Sequence, residues 1–433
     1  MTEAKRFILG GGVTGLAAGC ASGLPVFEAS DYPGGICSSY YVRPASTERL
    51  HRAPADGEAY HFEVGGGHWI FGGDPAVLQF IRSLVGISTY QRRSSVYFPE
   101  RRLYVPYPLQ NHLRHLGPEL AGQALREMAR APGPWTTMSD WLREYFGPTL
   151  GQLFFGPFHN LYTAGSCDRI APQDAYKSPV DLGLAIQGAF STAPAVGYNV
   201  TFVYPTEGLD TLARRMADRC DVRHGRRAVR IDPRARDVYF DDGTATHFEA
   251  LISTLPLNQM MAMTSLTVAA PPDPATSVLV LNVGARRGPS CPDDHWLYHP
   301  ATRNGFHRVG CYSNVDRHFL PRSARERGDR VSLYIERAFS SGSRPSEEET
   351  QAYAGDVVRE LQEWGYILEA EVVDPTWIDV AYTWSWPGST WKGLALKALE
   401  EHGIFQVGRY GRWIFQGIAD SIRDGFFVGS CFR

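Results

Sequence analysis

The chain has 433 residues, 43% of them hydrophobic, which is enough apolar content for a large core spread over more than one domain. Its formal net charge is −3, so no strongly basic surface points to nucleic acid as a partner. None of the seven cysteines has Cys-x-x-Cys spacing, which argues against a zinc site and predicts a reducing, cytoplasmic location. We therefore expect no metal. No apolar run reaches the ~18 residues of a membrane span, so a membrane is not expected as a partner either.

The first 40 residues carry the most informative motif. An apolar strand, a glycine-rich turn, a short helix and a second strand follow one another, and Gly10, Gly12 and Gly15 fit the pattern G-x-G-x-x-G. The first glycine allows a tight turn, the second lets a pyrophosphate approach the backbone, and the third lets helix and strand pack closely. Glu28 closes the second strand, 13 residues after Gly15, where it can accept hydrogen bonds from ribose hydroxyls. The pattern predicts a dinucleotide site with a crossover helix about two turns shorter than usual.

The turn after Glu28 favours FAD over NAD. Tyr32-Pro33-Gly34-Gly35-Ile36 is similar to the turn that runs past the ribose toward the flavin in flavoproteins of the amine-oxidase and sugar-mutase type. The predicted cofactor contacts in this part of the chain are Gly10, Gly12, Val13, Thr14, Gly15, Glu28, Ala29, Gly34 and Gly35.

Farther along the chain, the hydrophobic patterns predict a molecule of three parts. A helix begins at Asp74 or Pro75, residues 86–190 are mostly helical with an N-terminal cap at 137–140, and residues 275–390 alternate strands with one helix at 347–364. We therefore expect an α/β fold with a Rossmann-type FAD-binding domain (GR2-like), a helical cap domain and an antiparallel β-sheet substrate domain. The expected ranges are 1–85, 206–267 and 396–433 for the FAD domain, 86–190 for the cap, and 191–205 and 268–395 for the sheet domain.

Five separated segments resemble, in order, those of flavin-dependent UDP-galactopyranose mutases, and the eukaryotic-type branch more than the bacterial one. They are VGGGHWIF at 64–71, LYVPYPLQN at 103–111, NVTFVYP at 199–205, WLY at 296–298 with Arg308, and GRYGRW at 408–413. The broader relatives are flavoproteins similar to monoamine oxidase and protoporphyrinogen oxidase.

The resemblance implies a pyranose–furanose interconversion of a nucleotide-activated sugar, in which N5 of the reduced flavin attacks the anomeric carbon and the nucleotide diphosphate leaves. Such chemistry requires no Ser, Cys or Lys nucleophile from the protein, because the cofactor supplies it. The implied partners are therefore FAD in its reduced form and a small-molecule nucleotide sugar, with NAD(P)H as a candidate reductant. The sequence leaves the sugar, the base and the oligomeric state open.

The same resemblance assigns roles to individual residues. His68 should lie near the isoalloxazine ring, the alternative being a histidine of the core, and Arg409 should lie against the flavin. Arg308 should hold the substrate diphosphate, since a guanidinium can bind two phosphate oxygens at once, and Lys177 is either a second phosphate ligand or a surface lysine. The further cofactor contacts implied are Gly66, Gly67, Val229, Gly408, Gln416, Gly417 and Ile418. The implied substrate contacts are Tyr107, Gln110, Asn199, Trp296, Tyr298, Arg308, Trp386 and Phe415.

The chain also departs from the pattern of that family. Where the family places tyrosine hydroxyls on the diphosphate, this sequence has Phe415, Trp386 and, near a third position, Val315, while Cys167 replaces a tryptophan. Each lost phenol removes a hydrogen bond to an anion, worth ~1.5–3 kcal/mol. These replacements support an alternative, an FAD oxidoreductase of the amine-oxidase, desaturase or dehydrogenase type acting on an amine, a sugar or a biosynthetic intermediate. A third hypothesis is a flavin-binding protein without catalysis.

Overall fold

The computed structural model describes residues 5–173 and 180–433 of the chain. The helices in this part are α1 (Val13–Ser22), α2 (Pro75–Leu84), α3 (Pro118–Met128), α4 (Met138–Leu150), α5 (Gly156–Tyr162), α6 (Leu182–Phe190), α7 (Leu209–Ala217), α8 (Leu257–Thr264), α9 (Tyr312–Val315), α10 (Glu347–Glu363), α11 (Trp391–Glu400), α12 (Gly408–Gly411) and α13 (Ile418–Ser430). The strands are β1 (Arg6–Leu9), β2 (Val26–Phe27), β3 (Ser39–Val42), β4 (Tyr60–Glu63), β5 (Ile70–Phe71), β6 (Ile87–Gln91), β7 (Ser94–Phe98), β8 (Leu103–Pro106), β9 (Thr201–Pro205), β10 (Val222–Arg223), β11 (Ala228–Asp232), β12 (Asp237–Phe240), β13 (Ala245–His247), β14 (Ala250–Ser253), β15 (Ala275–Arg287), β16 (Trp296–Tyr298), β17 (Arg308–Cys311), β18 (Arg330–Ser340), β19 (Ile367–Thr383) and β20 (Ile404–Gln406).

The sheet that carries the glycine motif is parallel, with the strand order β10–β2–β1–β14–β20. Its strands come from distant parts of the chain, as the pairing of Leu9 with Ser253 illustrates. Helices α1 and α13 pack tightly beside each other. At Gly425 the approach is so close that a Cβ atom would lie only 2.2 Å from the carbonyl oxygen of Thr14. This parallel sheet with its helices is the Rossmann-type unit, and it brings the two ends of the chain together at one site.

A second sheet is almost entirely antiparallel and has the order β19–β15–β18–β17–β16–β7–β8, in which only the pair β16–β7 is parallel. Val357 and Leu361 of α10 pack against one face of this sheet together with Leu333 and Ile335 of β18. Side chains of the opposite face, such as Val280, join the core cluster that extends from the Rossmann-type unit. The sheet therefore has one face covered by a helix and one face turned toward the rest of the molecule.

Helices α3 to α6 form a third, largely helical part. Its core is aromatic, and the rings of Phe146 and Phe155 stack with centroids 3.8 Å apart. Helix α4 begins with a capping box at Thr137, as the sequence predicts, and bends at Gly147, which has a φ of +74°. A π-helical turn at Gly151–Phe155 then leads into α5 and sets the direction in which the α5 side chains point.

The mixed α/β class is confirmed, but the region 86–190 is not helical throughout. Residues 87–106 form β6, β7 and β8, because runs such as Ser94-Ser-Val-Tyr-Phe98 are rich in β-branched and aromatic residues that pair well across strands. Helix α1 spans the ten residues Val13–Ser22, the crossover helix between β1 and β2. The boundaries of the three domains stay a prediction. Within the described residues, every helix is too short or too polar to cross a lipid bilayer.

Candidate functional site

A cavity of about 420 Å³ lies where the parallel sheet, the antiparallel sheet and the helical part meet. This volume is in the range of small-molecule and cofactor sites. The predicted site residues that line the cavity are Gly10, Gly12, Val13, Thr14, Glu28, Gly34, Gly35, Gly67, His68, Tyr107, Asn199, Tyr298, Arg308, Gly408, Arg409, Phe415, Gln416, Gly417 and Ile418. The fold thus brings together segments that span more than 400 positions of the sequence.

The three glycines of the first motif have three different structural requirements. Gly10 has a φ of +98°, a conformation that side chains disfavour. A Cβ on Gly15 would lie 1.9 Å from the carbonyl oxygen of Gly10, so only glycine lets helix α1 pack at this distance. A Cβ on Gly12 would meet only the carbonyl oxygen of Gly34, at 3.8 Å, and would otherwise project into the cavity. This is the cradle that a dinucleotide backbone needs.

Glu28 is held in place at the end of β2 by main-chain donors. Its Oε2 accepts a hydrogen bond from the Gly11 amide at 2.6 Å, and its Oε1 accepts one from the Ser30 amide at 2.8 Å. The carboxylate is buried and lines the cavity, so its remaining lone pairs suit ribose hydroxyls.

Two helix N-termini border the cavity. Helix α1 follows Gly12, which supplies no side-chain cap, and α13 follows Gly417. The first amides of both helices therefore favour an anion at this place. Beside them, the buried Oε1 of Gln416 has no hydrogen-bond partner within the described residues. These donors and this amide fit the diphosphate and neighbouring polar groups of a dinucleotide.

His68 and Arg409 lie farther along the cavity wall. Burial and the nearby Arg409 guanidinium lower the pKa of His68 to about 4, so the imidazole is neutral at neutral pH. Arg409 donates hydrogen bonds to the carbonyl oxygens of Gln416 and Ala381, both at 3.2 Å, and its guanidinium carbon lies 4.6 Å from the ring centre of Phe415. One fixed positive charge and one neutral imidazole therefore share this part of the cavity.

Arg308 forms an ion pair that the sequence motifs did not reveal. Arg308 and Glu336 are directly opposite each other on β17 and β18, and Nη2 of the arginine donates to Oε2 of the glutamate. The Tyr382 hydroxyl lies 3.3 Å from the same oxygen, and Nε2 of His307 lies 3.6 Å from it. Burial would raise the pKa of Glu336, but Arg308 and His307 lower it to about 2, so Glu336 is a carboxylate. The positive charge of Arg308 is therefore already balanced by a buried negative charge.

Helix α5 supplies an aromatic wall that the sequence analysis also missed. Phe158, His159 and Tyr162 line the cavity, and the ring centres of Tyr162 and Tyr382 are 4.5 Å apart. The only sequence signal is the spacing of Phe158 and Tyr162, which places both rings on one helical face. For Glu336, the signal is the one acidic residue of β18, directly after the apolar run Leu333-Tyr-Ile335.

Several predicted contacts lie away from the cavity wall, and the structure corrects their placement. Val229 is half exposed on β11, the indole of Trp296 donates to the Tyr298 hydroxyl at 3.0 Å, and the indole of Trp386 donates to the Pro272 carbonyl oxygen at 2.9 Å. The predicted residues outside the lining are Gly15, Ala29, Gly66, Gln110, Val229, Trp296 and Trp386. Lys177 lies outside the described residues.

The apparent loss of a phenol at Trp386 is also corrected. Trp386 lies outside the cavity, whereas Tyr382 lines it and places a hydroxyl 3.4 Å from Nη2 of Arg308. Val315 is buried in the core cluster that contains α9, and Cys167 is buried in the helical part. Of the four replaced positions, only Phe415 therefore faces the cavity.

Comparison with known proteins identifies the family. Residues 24–427 match the family of flavin containing amine oxidoreductases. The chain belongs to this family. Because the family is flavin-containing and the cavity presents a dinucleotide-binding glycine turn, the cofactor is FAD. No curated protein matches the sequence.

Solved structures share the fold at low sequence identity. A reduced UDP-galactopyranose mutase superposes with a TM-score of 0.82 and 22% identity, covering 98% of this chain and 94% of its own. A candidate protoporphyrinogen oxidase from Exiguobacterium sp. 255-15 has a TM-score of 0.69 and 15% identity, with 100% and 99% covered. A putrescine oxidase solved with bound putrescine has a TM-score of 0.57 and 16% identity, with 99% and 98% covered. At identities this low, the likenesses show the fold of the chain. Its reaction has to be inferred from the residues of the site.

Proposed function

We propose that the protein is an FAD-dependent, mutase-like enzyme that interconverts the pyranose and furanose forms of a nucleotide-activated sugar. The observation that carries the proposal is the continuation of the cavity beyond the flavin-binding glycines to Arg308, with Tyr107, Asn199 and Tyr298 on its wall. Aromatic and amide side chains at one end and a guanidinium at Arg308 suit a substrate with a base and a diphosphate. The fold likeness to a UDP-galactopyranose mutase, with a TM-score of 0.82, supports the same proposal.

Bound FAD in its reduced form would supply the nucleophile, N5, so the chain itself has to bind and orient the substrate. Arg308 is the group proposed to bind the departing diphosphate, and Tyr382 adds a hydroxyl beside it. Glu336 fixes the direction of the guanidinium from behind. The aromatic wall of α5, with Phe158 and Tyr162, keeps water from the reacting carbon.

A second function, an FAD-dependent oxidoreductase acting on a sugar or a biosynthetic intermediate, is favoured by a different observation. Because Glu336 is ionised beside Arg308, the pair has no net charge, and a dianionic leaving group gains less from it than from a lone guanidinium. Phe415 also presents a ring without a donor to the cavity. An oxidation that delivers hydride to the flavin needs no clamp for a leaving group.

The deciding experiment is anaerobic. The purified holoprotein is reduced with dithionite, mixed with a panel of nucleotide sugars, and the products are separated by chromatography. Reductant-dependent formation of an isomer, without net consumption of electrons, is the result expected of a mutase. Flavin reduction by a substrate of the oxidised protein, with an electron acceptor consumed at each turnover, would replace this function with the oxidoreductase.

Two arginine variants provide the matched comparison. Arg308→Lys keeps the charge but loses the fork of donors, so KM for the nucleotide sugar should rise about tenfold or more. Arg303→Lys changes an arginine of a surface ion pair with Glu363 and should leave KM as it is in the wild type. Equal kinetics for both variants would remove Arg308 from the diphosphate site.

A further inference from the structure

Two thiols meet at the C-terminal end of α1, away from the cavity. Sγ of Cys20 lies 3.4 Å from Sγ of Cys220, although 200 residues of sequence separate them. Cys20 belongs to α1, and Cys220 lies between α7 and β10. Because both side chains are only half-buried, small oxidants can reach them. A disulfide has an S–S length near 2.05 Å, so the sulfur atoms need to approach by about 1.4 Å.

The surroundings make the two sulfur atoms unequal. The hydrogen bond from Cys220 lowers the pKa of Cys20, burial opposes this, and the Arg219 guanidinium lowers it further. The hydrogen bond with Cys20 and burial raise the pKa of Cys220, whose thiol also contacts the carbonyl oxygens of Leu16 and Met216 at 3.3 and 3.4 Å. Cys20 is therefore the more readily ionised thiol of the pair and the one suited to act as the nucleophile.

We propose that Cys20 and Cys220 form a redox-modification site that reacts with hydroperoxides and closes to a disulfide. The Cys20 thiolate attacks one peroxide oxygen, the O–O bond breaks, and the departing hydroxide (or alkoxide) takes up a proton, which leaves a sulfenic acid on Cys20. The Cys220 sulfur then attacks the Cys20 sulfur, so the S–S bond forms while the S–O bond breaks and water leaves. The two thiols lose two electrons, the peroxide gains them, and a dithiol reductant reverses the change.

The position of the pair connects it to the cofactor end of the fold. Helix α1 places Val13 and Thr14 on the cavity wall at its other end. Helix α7 places Ala213 against Gly34. A Cβ atom added to Gly34 would lie only 2.9 Å from the Cβ atom of Ala213. A bond between Cys20 and Cys220 would therefore tie α1 to the segment that follows α7, and both of these helices shape the nucleotide-binding turns. This inference does not depend on which reaction the enzyme catalyses.

The other cysteines provide an internal comparison. Cys291 and Cys311 are also neighbours, and Cys291 is partly buried like Cys20, but Cys311 is only 2% exposed, within the core cluster beneath α10. Cys431 is exposed near the end of the chain, and its thiol donates to the carbonyl oxygen of Phe427. Because Cys311 is buried, a disulfide should form between Cys20 and Cys220 before one forms between Cys291 and Cys311.

The test uses the wild-type holoprotein. It is treated with one equivalent of hydrogen peroxide, quenched with an alkylating reagent and mapped by proteolysis and mass spectrometry. We expect a linked peptide pair containing Cys20 and Cys220, a mass lower by two hydrogen atoms, full reversal by dithiothreitol, and a higher thermal midpoint than that of the reduced protein. Alkylation of both thiols after treatment, or oxidation of Cys20 beyond the sulfenic acid without a link, would overturn the proposal.

Two variants sharpen the result. In Cys220→Ser, the sulfenic acid on Cys20 has no partner, so dimedone should trap it. In Cys311→Ser, which alters the other pair, the link between Cys20 and Cys220 should form as in the wild type. If Cys220→Ser does not fold, the peptide map of the wild type still decides, because a link joining any other pair of cysteines contradicts the assignment.

Discussion

At the scale of single residues, the buried ion pair between Arg308 and Glu336 has the largest expected energetic effect. Glu336 is 2% exposed, so removing its charge leaves the guanidinium of Arg308 without a counter-charge in a low-dielectric site. Glu336→Gln should therefore lower the free energy of unfolding by about 3 kcal/mol. Urea denaturation of the apoprotein measures this change, with Glu363→Gln of the exposed pair as the control, for which a change within about 0.5 kcal/mol is expected.

Glu336→Gln should lower the stability of the protein but raise its affinity for an anionic ligand. With Glu336 neutral, the charge of Arg308 becomes available to a ligand, so UDP should bind Glu336→Gln more tightly than it binds the wild type. Fluorescence titration of the holoprotein with UDP measures the affinity. Weaker binding in the variant would show that Glu336 orients the guanidinium more than it neutralises it.

Acid should remove the contribution of this pair. The pKa of Glu336 is about 2 in the folded protein and 4.5 without the fold, so its stabilisation is complete above pH 4.5 and disappears as the pH falls toward 2. The corresponding free energy is up to about 3 kcal/mol. Unfolding curves at a series of pH values should show the difference between the wild type and Glu336→Gln shrinking below pH 4.5. A difference that stays constant on acidification would place the pKa of Glu336 elsewhere.

Phe415 is the replaced residue that still faces the cavity, and it allows a gain-of-binding test. Its ring lines the cavity, and the guanidinium carbon of Arg409 lies 4.6 Å from the ring centre, so Phe415→Tyr adds a donor near a positive charge that attracts anions. Phe415→Tyr should tighten UDP binding about tenfold or more, as one added hydrogen bond to a charged partner allows. Phe427→Tyr, on the exposed side of α13, is the matched control. Unchanged affinity in both variants would favour the oxidoreductase.

At the scale of elements, the first turn of α1 separates folding from cofactor binding. Gly15→Ala places a methyl group 1.9 Å from the Gly10 carbonyl oxygen, so α1 must move off the sheet and the apoprotein should lose about 2 kcal/mol or more. Gly12→Ala meets only Gly34, at 3.8 Å, so the apoprotein should be as stable as the wild type while FAD binds more weakly. Urea denaturation and FAD titration of both variants measure these effects. Equal losses of stability would show that the two glycines share one role.

Elements with local signals were predictable from the sequence. Helix α4 was expected from its cap at Thr137, and α2 from its apolar face after Asp74, because caps and periodicity depend on neighbours within a few residues. Strands β6 to β8 were not, since β6 pairs with β9 more than 100 residues away, β7 pairs with β16 about 200 residues away, and β8 joins the sheet only through β7. The glycine turns at Gly10 and Gly12 were found because backbone geometry restricts the residue type at each position.

The residues of the site also fall into two groups, those that the sequence predicts and those that it does not. Residues of contiguous motifs, such as Gly408 and Arg409, line the cavity as their segments predict. Glu336 and Tyr382 could not be predicted, because they reach Arg308 only through the register of an antiparallel sheet built from separate segments. Trp386 illustrates the reverse error, since the resemblance assigned it to the substrate site, whereas the strand places Tyr382, four residues earlier, on the cavity wall.

At the scale of the whole molecule, one cavity joins the Rossmann-type unit, the antiparallel sheet and the helical part. In the parallel sheet β1 pairs with β14 and β14 pairs with β20. The sheet is therefore complete only when strands from both ends of the chain have come together. Such long-range pairing is costly in chain entropy, and a ligand whose binding residues come from both ends of the chain compensates for that cost only in the folded state. FAD should therefore stabilise the molecule as a unit and not only the strands that bind its diphosphate.

This coupling predicts how the protein responds to removal of its cofactor. FAD at 100 times its Kd should add about 2.7 kcal/mol to the free energy of unfolding, and the gain should grow with the logarithm of the FAD concentration. Thermal unfolding, followed by the fluorescence of tryptophans in separate parts such as Trp141 and Trp391, should show one transition that moves upward with added FAD. A midpoint shift confined to one phase would mean that the helical part unfolds independently of the Rossmann-type unit, since FAD would then stabilise only the phase that contains its binding residues.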